Sequence, residues 1–175
     1  IVAQFDIASL PAYFDAMQLL YRLTARLASQ NPNPGRLEKL RRDHEEHEKA
    51  IRKRDIRNTV RRNREFHMTI AAASGNRVII HTIKTLWKFR MEDPEVRRTH
   101  QSICHHDGDA RHAEHVAVVE ALRRRDPKAA RQAMRLHFSR LLESMLDATE
   151  QRERQELERK AAESRQRFLM TARMG

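Results

Sequence analysis

The 175-residue chain is short of cysteine, glycine, proline and aromatic side chains: one Cys, four Gly, five Pro, and 5% Phe, Trp and Tyr. A lone Cys104 cannot close an internal disulfide, which excludes a stapled, secreted fold and makes a reducing cytoplasm the expected compartment. Scarce glycine and proline leave little of the turn chemistry that strands need. No apolar run approaches the roughly 20 residues of a membrane span, and the N-terminal stretch has no signal-peptide pattern, so no membrane partner is expected. Acidic residues are also in deficit, 24 against 35 Lys and Arg, for a formal charge of +11. Such a surplus attracts phosphate. The two signs are interleaved, however, and aromatic residues are not interspersed as a stacking platform requires, so a solvated charged surface is the expectation.

The chain is instead rich in Ala, Arg, Glu, Leu and Met, good helix formers at a length suited to one domain, and it reads as all-α. A first helix runs from about Leu10 to Ser29, with Phe14, Met17, Leu20, Tyr21, Thr24 and Leu27 at helical spacing. After the breaker at 31–35, a highly charged second helix from Arg36 to about Lys53 is expected on the outside. Asp55 caps a third, whose stripe is Ile56, Val60, Asn63, His67 and Ile70. Ser74-Gly75-Asn76 ends it, and Ile79, Ile83, Leu86, Trp87 and Arg90 mark a fourth. The span from Asp93 to Asp109 is irregular and reads as a loop holding His100, His105 and His106, polar side chains rather than a second metal site. Two further helices carry His115, Val118, Val119 and Leu122, then, after the cap pair Asp126-Pro127, Ala130, Met134, His137, Leu141 and Met145. Beyond about Ala148 the apolar spacing fades into alternating charge, the mark of a solvated helical extension or tail, with Phe168, Leu169 and Met170 available to a partner subunit.

Polar residues on these apolar stripes carry the functional signal. Asn63 and His67 stand i,i+4 on one helix, and His115 and His137 each add an imidazole from another. Burying such groups is costly unless something pairs with them, and one divalent metal ion would pair with all. His112, one turn before His115, is an alternative ligand. Glu65 and Glu114 adjoin metal-binding positions in sequence and are therefore turned about 100° away from those side chains.

Asn63-Arg-Glu-Phe-His67, Ala-Glu-His115 with the following Arg-Arg-Arg-Asp-Pro, and Ala-Ala-Arg-Gln-Ala-Met-Arg-Leu-His137 resemble the effector-sensing FCD domain of GntR-type transcriptional regulators, over about residues 5–147. The resemblance implies an antiparallel bundle of six or seven helices around a metal and ligand pocket. It implies Asn63, His67, His115 and His137 as ligands of a divalent transition metal, zinc or nickel first. Asn63 stands where the family usually has Asp. It keeps a carbonyl but lacks the charge, so the site should grip a dication less tightly or lean on an anionic effector. Where many members carry an effector-anchoring Arg in the first helix this chain has Met17, with Tyr21 at a position often acidic, so Arg22, Lys84 and Arg90 become the candidate anchors and Tyr21 a further contact. Residues 1–147 are then the sensing domain and 148–175 a charged extension. The family's N-terminal winged helix-turn-helix, which would read operator DNA, falls outside this chain, and a homodimer sensing a small carboxylate-like effector is expected. An enzyme is not expected. The alternatives are a metal-dependent hydrolase, opposed by the lack of a His-Glu-x-x-His arrangement, and a helical module for nucleic acid or protein.

Overall fold

Three helices open on the same two-residue device, an Asx cap followed by proline in the first turn. Asn33 Oδ1 accepts from the Arg36 amide (3.1 Å), Asp93 Oδ1 from the Val96 amide (2.7 Å), and Asp126 Oδ1 from the amides of Lys128 and Ala129 (3.0 and 2.9 Å). Each cap satisfies an orphan donor and contributes about 1 kcal/mol. The computed structural model describes residues 9–31, 33–106 and 108–172. Its helices are α1 (Leu10–Gln30), α2 (Pro34–Arg52), α3 (Ile56–Ala73), α4 (Arg77–Glu92), α5 (Pro94–His106), α6 (Gly108–Arg123) and α7 (Pro127–Ala172). No strand occurs among the described residues, in accord with the all-α reading.

The helices stop as locally as they start. Arg54, Gly75 and Arg125 adopt left-handed backbone (φ 53, 71 and 55°), and the next amide after each Arg bonds back across the last turn, Asp55 to Ala50 O (3.1 Å) and Asp126 to Ala121 O (3.0 Å). That closure satisfies terminal carbonyls. Short connections fold consecutive helices back on each other, so α2 lies against α3 and α6 against α7, while α1 packs along α7. Gln18 of α1 donates to Ser139 of α7 (2.9 Å), and Thr69 of α3 donates to Asp43 of α2 (2.5 Å). The core between them is built on Met17, Phe66, Ile70, Ile83, Met134 and Phe138.

Three expectations are corrected. The span read as a loop, 93–109, is mostly α5: Asp93-Pro94 works as Asp126-Pro127 does, and Val96, His100 and Ile103 form a buried face at steps of four and three. The side chains of His105 and His106 lie outside the described residues. α2 is not an outer helix, because Leu40, Asp43, His44, His47 and Ala50 are buried. At the start of α3 the inward face is Thr59 and Asn63, with Ile56 exposed and Val60 only partly covered.

After about Glu150, α7 continues as a largely exposed, charged helix, with Leu157, Phe168, Leu169 and Met170 facing solvent. Pairs such as Arg159 with Glu156 and Glu163 lace its surface. Among the described residues no helix is long and apolar enough to cross a membrane.

Candidate metal centre

His67 of α3, His115 of α6 and His137 of α7 converge in the interior, each at most 2% exposed, with one nitrogen of each within 4.8 Å of the others. Every side chain arrives from a helix whose apolar neighbours one turn away fix its direction: Ile70 and Ala71 for His67, Val118 for His115, Met134 and Leu141 for His137. Ring contacts complete the enclosure. Phe66 stacks on His115 (4.2 Å between centroids), and Tyr21 meets His67 edge-on (5.2 Å).

The hydrogen-bond inventory leaves these rings short of partners. His137 Nδ1 lies 2.9 Å from Glu114 Oε2, which assigns its proton to Nδ1 and leaves the Nε2 lone pair pointing inward. That lone pair faces His67 Nε2 at 3.2 Å. His67 Nδ1 and both nitrogens of His115 have no partner. A buried group left unsatisfied costs about 1–3 kcal/mol, and a shared cation would relieve several at once. Tetrahedral zinc at about 2.0–2.1 Å from nitrogen spaces its ligand atoms about 3.3 Å apart, close to the His67–His137 separation, so the donor set fits such an ion after small side-chain shifts. Burial holds His67 and His115 well below the ordinary imidazole pKa, and lowers His137 despite the opposing pull of Glu114. All three are therefore neutral at pH 7, the state a metal needs.

Glu114 is turned away from His115, as helix geometry required, but this turns it onto His137. It also pairs with Arg111 (3.2 Å) and Arg140 (3.5 Å). A carboxylate behind a ligating histidine fixes its tautomer and strengthens its donor atom.

Beside His137 lies a cavity of about 10 Å³, room for one water-sized group, lined by His47, Thr59, Asn63, His100, Arg111 and neighbouring apolar residues. Asn63 is buried on its wall. Thr59, Cys104 and Gly108 also line an open basin of about 540 Å³ whose rim carries Arg52, Arg54 and Asp109. Of the sequence-named anchors, Arg90 is 1% exposed, stacked over Trp87 (4.4 Å) and 3.4 Å from His100 Nε2, with its Nε unbonded. Tyr21 is buried and accepts a hydrogen bond from Trp87 Nε1 (2.8 Å). Arg22 is half-buried and Lys84 exposed, and neither lines the cavity.

The residues sequence reasoning missed come mainly from α2. His47 is buried with Nδ1 unpartnered, 5.1 Å from the His115 ring, and burial drives its pKa down to about 3. His44 stacks on His112 (4.4 Å, 7° between planes), which places the alternative ligand His112 outside the three-histidine group. The signal was present: Leu37, Leu40, His44, His47 and Ile51 step by three, four, three and four.

Comparison with known proteins adds three likenesses. The FCD domain family matches residues 12–140. The Exu regulon transcriptional regulators of Escherichia coli K12 and of Shigella flexneri are each 30% identical to this chain over 74 residues, 42% of the chain and 29% of the length of those curated relatives. The solved structure of E. coli McbR/YncC superposes with a TM-score of 0.73 at 20% identity, covering 81% of this chain and 66% of that one, a likeness of fold.

Proposed function

The chain belongs to the FCD domain family, and from that premise we propose that it is the effector-binding and dimerisation domain of a GntR-type transcriptional regulator, sensing a small organic acid at a divalent metal. The observation that carries the reading is the trio His67, His115 and His137, neutral and buried, with unpartnered nitrogens on His67 and His115. In this reading the three imidazoles and the Asn63 carbonyl hold zinc or nickel, and Glu114 orients His137. The metal supplies an open coordination position for an anionic ligand. The histidines descend from α3, α6 and α7, so a ligand gripped there favours one arrangement of those helices over another. Only that differential affinity can shift an attached DNA-binding head between states.

The whole regulator is read as a cytoplasmic homodimer that meets operator DNA through an N-terminal domain, a reading supported by its likeness to the Exu regulon transcriptional regulators. Catalysis is not part of the proposal. Among the described residues the carboxylate buried beside the histidines is Glu114, already engaged by His137 and Arg111, so the reading assigns no carboxylate base for hydrolysis.

Elemental analysis of the purified chain and of His67→Ala and His137→Ala tests the reading. Stoichiometric metal in the wild type and none in either variant, with helicity retained, is the expected result. Full metal in both variants would refute the ligand assignment.

A further inference from the structure

Around the small cavity the buried charges do not balance. Arg90 and Arg111 are both at least nine-tenths buried, and no carboxylate pairs with Arg90 among the described ion pairs. The buried carboxylates among the described residues are Asp43, neutralised by Lys39 (2.6 Å), and Glu114. Two guanidinium groups against one carboxylate leave one positive charge in excess. A dication held by neutral histidines would raise the excess to three, a burden that an enclosed site carries only with an anion present.

Arg111 is placed to receive that anion. It lines the cavity next to His137 and Asn63, and its Nε and Nη1 make no hydrogen bond, Nη1 facing Glu114 at 3.2 Å as an ion pair only. The open basin offers the route inward, since it meets the cavity at Thr59, Cys104 and Gly108 and carries Arg52 and Arg54 at its mouth. Space at that junction is tight: a Cβ on Gly108 would approach Ile51 Cγ2 to 2.9 Å.

We propose that Arg111 is the anion anchor of this chain: its unbonded donors grip one carboxylate reaching the small cavity past Thr59, Cys104 and Gly108, the rest of a small polar acid lies in the open basin outside, and the ion pair of Arg111 with Glu114 couples that grip to His137. This deepens the metal-sensor reading and rests on it. A carboxylate on Arg111 draws the guanidinium away from Glu114, and Glu114 then pulls harder on the His137 Nδ1 proton. Nε2 becomes a better donor to the metal. Anion and metal must therefore strengthen each other's binding by the same factor, about tenfold within the usual range of such couplings.

Malate serves as the probe and its neutral diamide as the control. Zinc affinity is measured by chelator competition with and without millimolar malate, and malate affinity by calorimetry on the zinc-loaded chain. In the wild type malate should tighten zinc about tenfold and the diamide should not. Arg111→Gln should weaken malate at least about tenfold and abolish its effect on zinc, while zinc affinity without malate is no weaker than in the wild type because Glu114 is then free to act on His137 alone, and Arg111→Lys should keep part of the binding. If Arg111→Gln loses helicity, Arg111→Lys decides alone, by weakening malate more than zinc. Wild-type malate affinity in the Gln variant overturns the proposal, as does a wild type that binds neither malate nor sulfate at millimolar concentration. A wild type that takes up no zinc instead sinks the metal reading, and malate binding to the metal-free chain, lost in Arg111→Gln, would then still support the anchor.

Discussion

Packing so many histidines in one interior makes the metal-free protein sensitive to mild acid, and the size of the effect follows from the structure. Burial is the main cause that depresses the pKa of His47, His67, His100 and His115, each at most 2% exposed. A group whose folded pKa lies below its unfolded one favours folding while neutral in both states, and that advantage is lost as the unfolded chain takes up protons the folded chain refuses. The window therefore opens at the unfolded histidine value near 6.5 and extends downward, to about 3 for His47. At pH 5.5 a histidine that stays neutral in the fold costs at most RT ln(1 + 10), about 1.4 kcal/mol, so four cost at most about 6, and at pH 6 at most about 3. A domain near the lower end of the ordinary range of about 5–15 kcal/mol should, once stripped by chelator, unfold with a midpoint between about pH 5 and 6, and a more stable one at lower pH. Far-UV circular dichroism from pH 8 to 4, with urea midpoints at each pH, reads this out. His47→Leu should flatten the slope by about a quarter. Stability unchanged between pH 7 and 5 would refute the reasoning, because it would mean that these rings accept protons in the folded state.

Three further outcomes are expected. Glu114→Gln should weaken zinc about 10–100-fold by chelator competition, since the amide orients His137 poorly and strips Arg111 of its counter-charge; unchanged affinity would show that the carboxylate does not support the ligand. Arg125→Gly should raise the urea midpoint by the equivalent of up to about 1 kcal/mol, because Arg125 holds a left-handed backbone that glycine adopts without a steric cost. Removing the chain from residue 154 onward should leave the thermal midpoint within a few degrees, since 154–170 of α7 is almost wholly exposed; a large drop would mean that it packs on another subunit.

Much of the bundle was legible because its stripes are long and its boundaries chemical. Ala130, Met134, His137, Leu141 and Met145 proved buried to the last residue, and Asp55 and Asp126 cap their helices. Where reading failed, charge had outweighed period. The second helix seemed external because its mean hydropathy is low, although Leu37, Leu40, His44, His47 and Ile51 trace one face, and a histidine counts as polar until a neighbour makes it core. The fifth helix was lost because Pro94 was taken as a breaker while the identical Asp-Pro at 126–127 was taken as a start.

Local chemistry alone therefore determined that this chain is helical, where most helices begin and end, and that Asn63, His67, His115 and His137 face inward, since caps, breakers and the 3.6-residue period act over a few residues. Tertiary structure alone decided what those side chains meet. That Glu114 reaches across to His137 rather than idling beside His115, that His47 joins the cluster from α2, and that Arg90 and Arg111 share an interior in which Asp43 is already paired with Lys39 and Glu114 is the other buried carboxylate described depend on helices distant in sequence coming together. Spacing along one helix specifies a direction in space and carries no information about which other helix lies there.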